Sequence, residues 1–253
     1  MAQIFTRLDE WRAERLRMER AGLTVGFVPT MGALHTGHRA LLERARAEND
    51  RVVLSVFVNP TQFDDPGDLK CYPRSLEADL ELAGDLVDHA LVPDPKEIYA
   101  DDYRYRMTEY VLSTRLEGAH RPGHFEGVLT VVLKLLNLVR PHRAYFGEKD
   151  RQQLELVEGM ARALFLPTEI VRCPTVRDAD GLALSSRNVR LSPEARARAS
   201  AFPRILRSSP DAAAALSALG EAGFGVDYVE DHDGVRLAAV RLDDVRLIDN
   251  VRI

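Results

Sequence analysis

Two cysteines in 253 residues, Cys71 and Cys173, are too few and too far apart for a disulfide framework, and neither stands in a C-x-x-C pair that would suggest a zinc knuckle. A reducing cytoplasm is the compartment this fits. Long apolar runs are also lacking. The nearest, Gly127 to Val139, contains Lys134 and Asn137 and falls short of the roughly 18–20 apolar residues of a spanning helix. The segment Met1 to Arg20 mixes charges of both signs and has no apolar centre of the roughly 7–15 residues found in a secretory signal, so it reads as a surface helix. An excess of positive charge is missing too. The formal net charge of −5 argues against a nucleic-acid partner, although a local cluster of Arg and Lys could still grip a phosphate chain. There is no internal repeat, and the alanine run at 212–215 is the one low-complexity patch.

What is present is ordinary for a globular chain: 45% hydrophobic and 29% charged residues, enough for one large domain or two modest ones. Segments rich in β-branched and apolar residues recur at Thr24–Pro29, Arg51–Val58, Ala90–Pro93, Arg143–Phe146 and Thr168–Val176. The run Val52 to Val58 is nearly continuous rather than alternating, as expected of a parallel strand covered on both faces. Between the strands, Leu41, Leu42 and Ala45 share one helical face, and Leu76, Leu80 and Ala83 share another. Gly127–Leu138 and Asp150–Leu164 repeat that spacing, the first through Val128, Val131, Val132, Leu135 and Leu136. The expected fold is a doubly wound α/β parallel sheet over residues 1–178. After a polar loop, Arg177–Asn188, a Ser192-Pro193-Glu194 helix start opens a small α+β unit over residues 179–253. That unit should hold an alanine-rich helix near Asp211–Ala222 and short strands around Val226–Glu230, Val235–Leu242 and Val245–Ile248.

The strongest local signal is Pro29-Thr30-Met31-Gly32-Ala33-Leu34-His35-Thr36-Gly37-His38, between the first strand and a helix beginning near His38. A strand, a glycine-containing turn and a helix start present unpaired N–H groups and the positive end of the helix dipole to an anion. Neither a G-x-G-x-x-G fingerprint nor a P-loop is present, since the glycine spacing and the lysine are absent. Instead His35 and His38 can reach the same phosphate and donate to oxygens that gain charge as pyrophosphate leaves. As zinc ligands the pair lacks an obvious third N or S donor, and a plain surface role is the other bland alternative. Alone, the motif specifies nucleotidylyl transfer, not a substrate. A transferase releasing a stable dinucleotide-like product, or a module that senses ATP without turnover, would use the same turn.

H-x-G-H after the first strand resembles the signature of adenylyl-transferring doubly wound proteins. Five further segments resemble the pantothenate synthetase family in identity and order: Asn59-Pro60-Thr61-Gln62-Phe63, Tyr72-Pro73-Arg74, Arg121-Pro122-Gly123-His124-Phe125, Phe146-Gly147-Glu148-Lys149-Asp150 with Gln152-Gln153-Leu154, and Leu182-Ala183-Leu184-Ser185-Ser186-Arg187-Asn188. The likeness is strong over residues 1–200 and weak beyond. It implies an ATP- and Mg²⁺-dependent condensation of pantoate with β-alanine through a pantoyl-adenylate, by a cytoplasmic homodimer with a Rossmann-like domain and a C-terminal lid.

The resemblance implies that His38, His35 and Lys149 are catalytic. ATP would contact Met31, Gly37, His38, Gly147, Lys149, Asp150, Val176, Leu184, Ser185, Ser186 and Arg187. Pantoate would contact Gln62 and Gln153, with Val128, Val131 and Val132 against its gem-dimethyl group, and β-alanine would contact Gln62. Ser185-Ser186-Arg187 resembles a mobile phosphate clamp that excludes water. Two departures stand out: Glu126, where the family often has Arg, and a C-terminal region shorter than usual, which together imply a minimal lid.

Overall fold

A computed structural model describes residues 2–64 and 66–253. The chain divides into two compact units, the first comprising residues 1–147 and 152–173, the second residues 148–151 and 174–253. The division after strand six thus falls at 173/174, where the sequence placed it at 178.

In the first unit the strands are β1 (Gln3–Phe5), β2 (Val25–Thr30), β3 (Arg51–Val56), β4 (His89–Leu91), β5 (Arg143–Gly147) and β6 (Glu169–Cys173), and the helices are α1 (Leu8–Arg20), α2 (Thr36–Glu48), α3 (Pro66–Cys71), α4 (Leu76–Ala83), α5 (Pro95–Ile98), α6 (Glu117–His120), α7 (His124–Val139) and α8 (Arg151–Ala163). The strands form one sheet in the order β1-β4-β3-β2-β5-β6, and every pairing is parallel. Winding runs outward from β2 through β3 to β4, then returns to β5 on the other side of β2. The topological switch point therefore lies at the carboxyl ends of β2 and β5, where open α/β sheets bind ligands.

Alternate residues of the inner strands feed two cores. Val25, Phe27 and Val53 pack with Trp11, Leu129, Val132 and Leu136, whereas Val28, Val52 and Leu54 pack with Leu41, Leu42, Ala45 and Ala83. Burial on both faces explains the unbroken apolar run at 52–54. The segment read as one surface helix from Met1 is corrected on two counts, Met1 itself lying outside the described residues. Gln3–Phe5 is an edge strand in register with His89–Leu91, too short for alternation to reveal. The helix that follows buries Leu8, Trp11, Arg15 and Met18 along one face. Arg15 donates to the carbonyls of Val139 and Arg140 at 2.7 and 2.8 Å, satisfying the end of α7.

The second unit contains α9 (Pro193–Ala199), α10 (Ala201–Ser208), α11 (Ala212–Glu221) and an antiparallel sheet β7-β8-β9 (Gly225–His232, Val235–Leu242, Val245–Arg252). Ser192 and Asp211 cap α9 and α11 by accepting from Ala195 N and Ala214 N. Asp233-Gly234 supplies the positive φ angles of a tight hairpin. The sequence reading did not separate α10, which brings Phe202 and Leu206 into a core with Leu219, Phe224, Val240 and Leu247. Arg236, on β8, forms a bidentate pair with Asp231 and donates to the carbonyls of Leu206 and Ser209 at the end of α10.

Candidate active site

The turn after β2 is held from outside. Thr30 Oγ1 donates to Ser55 O at 2.7 Å and accepts from Gly32 N at 3.2 Å. Gly32 has φ +81°, and a Cβ there would meet Asp79 Oδ2 at 2.8 Å, so any side chain would strain the backbone and displace the Asp79 carboxylate. Asp79, 3% exposed on α4, accepts from Leu34 N at 2.7 Å and Ala33 N at 3.2 Å, while Ala33 holds φ +50°. Charge-assisted bonds to two consecutive amides offset the left-handed backbone at this point. Nothing in the sequence marked Asp79 for this work, because its partners lie 45 and 46 residues upstream.

At the start of α2 the two histidines cap the helix for each other. His35 is the N-cap residue, and its Nδ1 accepts from Gly37 N at 3.1 Å. His38 Nδ1 accepts from His35 N at 3.3 Å, and the ring centroids lie 4.1 Å apart at a 42° tilt. A ring nitrogen that accepts carries no proton, so each imidazole holds its proton on Nε2. The capping box therefore fixes the tautomer as well as the helix start, and both rings become Nε2–H donors. Gly37 is buried in the first turn and Met31 half-buried in the preceding loop. Among the described residues no group of three His, Cys, Asp or Glu could hold a metal ion, which leaves the histidine pair without the partners a zinc site requires.

Beyond β3, Asn59-Pro60-Thr61-Gln62 forms a one-turn 3₁₀ helix capped by the Asn59 side chain. Asn59, 1% exposed, donates from Nδ2 to Gln62 Oε1 at 2.9 Å and to Gly127 O at 3.2 Å. Its Oδ1 accepts from Tyr99 Oη at 2.6 Å and Thr61 Oγ1 at 3.0 Å. The turn lies directly on α7, and a Cβ at Gly127 would meet Thr61 O at 2.4 Å. The backbone carbonyl of Gln62 accepts from His124 Nδ1 at 2.9 Å and from Arg121 Nη2 at 3.3 Å. Burial first, then the Arg121 charge, pushes the His124 imidazole down to about 4, so the ring is neutral and serves as a fixed Nδ1–H donor.

The other expected pantoate contacts are distributed differently. Val128, Val131 and Val132 are buried in the core with Phe57 and Leu154, as valines at helical spacing would be in any case. Gln153 is half-buried on α8. Its neighbour Gln152, which the sequence reading passed over, is 3% exposed; its Oε1 accepts from Glu117 N at 3.0 Å, and its Nε2 donates to the carbonyls of Leu112 and Arg115 at 2.7 and 2.8 Å. It pins the loop before α6. Glu126 sits in the first turn of α7, where a carboxylate suits the helix dipole, and accepts from Arg106 Nη1 and Thr108 Oγ1, each at 3.1 Å.

Gly147 ends β5 at the switch point of the first unit. Lys149 and Asp150 belong to the second unit, where Lys149 Nζ stands 3.7 Å from Asp150 Oδ1 and Asn250 Nδ2 donates to the carbonyls of Glu148 and Lys149 at 2.9 and 3.0 Å. In the same unit the segment 176–188 folds back on itself. Leu184 N donates to Val176 O at 3.0 Å, Gly181 turns the chain at φ +88°, and Arg177 grips the Asp249 carboxylate at 2.7 and 2.8 Å. Ser185 Oγ accepts from Arg187 N at 3.2 Å, and Asn188 Nδ2 donates to Ala183 O at 3.0 Å, so Ser185-Ser186-Arg187 sits in a bonded turn.

Comparison with known proteins decides the family. A family model described as pantoate-β-alanine ligase matches residues 3–252. The chain belongs to the pantoate-β-alanine ligase family. The pantothenate synthetase of Bdellovibrio bacteriovorus is 54% identical over 100% of both chains, and that of Legionella pneumophila (strain Corby) 51% identical over 98% of both. A solved pantoate-β-alanine ligase from Francisella tularensis, complexed with beta-gamma ATP and β-alanine, superposes with a TM-score of 0.95 at 38% identity, covering 100% of this chain and 98% of that one. A solved pantothenate synthetase from Thermus thermophilus gives a TM-score of 0.87 at 45% identity over 99% of each. The activity is an ATP-dependent ligation of pantoate to β-alanine in pantothenate biosynthesis. Each of these four relatives is covered over at least 98% of its length, so the C-terminal unit is shared with them.

Proposed function

We propose that the ligation runs through a pantoyl-adenylate formed over the start of α2. The observation that carries this reading is the capping pair His35 and His38, whose Nδ1 atoms are both spent as acceptors, leaving Nε2–H as each ring's donor. The pantoate carboxylate, with a pKa of about 4, is already ionised and needs no base to attack the α-phosphorus of ATP. The bond to pyrophosphate breaks, and the departing oxygen accepts from an Nε2–H, chiefly that of His38. The β-alanine nitrogen then attacks the acyl carbon, the carbon–oxygen bond to AMP breaks, and the amine proton leaves to water.

In this proposal Met31, Gly37, Gly147, Lys149, Asp150, Val176, Leu184, Ser185, Ser186 and Arg187 bind ATP, while Gln62, Gln153, Val128, Val131 and Val132 bind pantoate. Gln62 also binds β-alanine. Residues 1–178 would form the ATP- and pantoate-binding domain, and residues 179–253 a lid that carries Leu184, Ser185, Ser186 and Arg187. Since no three-ligand cluster exists among the described residues, Mg²⁺ would be held by phosphate oxygens and water, with Asp150 as a supporting carboxylate. It would supply charge neutralisation on the phosphates. A homodimer in the cytoplasm completes the reading, supported by the exposed apolar side chains of Tyr105, Tyr110 and Val111 and by two free thiols. No helix among the described residues is long and apolar enough to cross a membrane.

The test is isotope exchange. With ATP, Mg²⁺ and pantoate but no β-alanine, the enzyme is expected to exchange labelled pyrophosphate into ATP, and adding β-alanine is expected to yield AMP and pantothenate in equal amounts. Formation of ADP, or exchange without pantoate, contradicts the adenylate route.

A further inference from the structure

We infer that Tyr99 is a positioning residue for pantoate, acting through Asn59 to hold in place the Gln62 amide that faces the substrate; the inference rests on the assignment of Gln62 to pantoate. An amide side chain presents a donor at one end and an acceptor at the other, and nothing in its own shape decides between them. The decision here is made at Asn59, and Tyr99 holds it there. Tyr99 Oη donates to Asn59 Oδ1 at 2.6 Å, and Thr61 Oγ1 lies 3.0 Å from the same oxygen and 3.1 Å from Tyr99 Oη. The atom facing both hydroxyls is the carbonyl end of Asn59, because Thr61 N–H, 3.4 Å away, can only donate to it and Gly127 O can only accept from the other end. Its Nδ2 therefore faces the other way, donating to Gly127 O at 3.2 Å and to Gln62 Oε1 at 2.9 Å. With Oε1 so engaged, what Gln62 offers a ligand is its Nε2–H₂ pair, which suits a carboxylate.

Tyr99 suits the head of such a relay. It closes the short helix α5, where its N–H bonds to Pro95 O, and its ring is wedged edge-on against Tyr103 at 5.3 Å with Lys134 Nζ 5.0 Å from its centroid. Burial pushes the phenol up to about 12, so the hydroxyl stays protonated and donating across the whole working pH range. A phenylalanine would keep the ring contacts and lose only the donor.

Tyr99→Phe is therefore expected to raise the KM for pantoate about three- to tenfold, leave the KM for ATP unchanged and keep thermal melting close to that of the parent. Thr61→Val, which removes the second hydroxyl, is expected to shift the same KM in the same direction by less. The decisive measurement is a cycle with Gln62→Ala. If Tyr99 acts through Gln62, Tyr99→Phe has no further effect on pantoate KM once Gln62 is alanine. A Tyr99→Phe enzyme with parental pantoate KM, or effects that simply multiply in the double variant, overturns the relay while leaving Gln62 as a ligand. A Gln62→Ala enzyme with parental pantoate KM overturns the assignment of Gln62 itself, and the relay with it.

Discussion

In the proposed mechanism His38 serves structure and chemistry through different atoms. Its Nδ1 accepts the His35 amide, which is helix capping, and this assigns the proton to Nε2, the atom proposed to donate to the departing pyrophosphate. Replacing it by alanine removes both, so the informative pair is His38→Ala with His38→Asn, because an asparagine oxygen can stand in for Nδ1 but has nothing at the reach of Nε2. Pantoate-dependent pyrophosphate exchange is expected to fall about a hundredfold or more in both, as for the loss of one oxyanion donor, while ATP affinity changes much less. Equal losses in exchange and affinity would mean that the ring contributes ordinary ground-state binding. Gln152 is the contrasting case. Both N–H groups and the carbonyl oxygen of its amide bond to the backbone of residues 112–117, so it acts as a strut, whereas the half-buried Gln153 beside it is the one proposed to meet substrate.

Among the elements, α7 makes the sharpest claim on a single residue. Its Gly127 lies where the Asn59–Gln62 turn touches the helix, and an added Cβ would stand 2.4 Å from Thr61 O and 2.8 Å from Gln62 N. Alanine gains about 1 kcal/mol in helix propensity at such a position. Two backbone atoms cannot yield as a flexible side chain would, and overpacking of this kind costs about 1–3 kcal/mol, so the clash wins. Gly127→Ala is expected to lower stability in urea by up to about 2 kcal/mol net and to raise the pantoate KM by displacing Gln62, with ATP binding little affected. An unchanged midpoint would show that the turn can lift without loss.

The elements were also where the sequence was most readable. The unbroken Val52–Leu54 run announced a strand buried on both faces, and Ser192-Pro193 announced a helix start, because each depends on neighbours only a few residues away. The H-x-G-H segment was legible as a strand, turn and helix start for the same reason. The three-residue β1 was not, since it exists only by pairing with residues near 90. Asp79 and Tyr99 were hidden likewise: each acts on a motif some 40 residues distant, and no local pattern distinguishes them from a helix-surface carboxylate or a packed ring.

At the scale of the whole molecule, two neutral buried imidazoles in the first unit set how stability responds to acid. His124 is held at about 4 by burial and by the Arg121 charge, and His89, packed against Phe5 and Trp11 with Nε2 3.1 Å from Glu14 Oε1, is lowered chiefly by burial. In the unfolded chain both return to about 6.5. Between those values the unfolded state binds more protons than the folded one, so stability rises with pH and falls as pH drops. The contribution is intact above about 6.5 and is progressively lost on the way to about 4, where His124 alone has withdrawn about 3 kcal/mol. The paired carboxylates titrate lower, with Asp101 held at about 2 by its bond to Lys134, so their losses begin after the imidazoles have acted. Urea unfolding of the first unit's signal, followed through the single Trp11, is therefore expected to lose stability between pH 7 and pH 5. His124→Asn, which keeps a donor near the Gln62 carbonyl but cannot titrate, should flatten that slope by roughly the share of one proton. A parent enzyme whose stability is level over this interval would mean that the histidines protonate in place, with Glu14 and Glu117 accepting the charge.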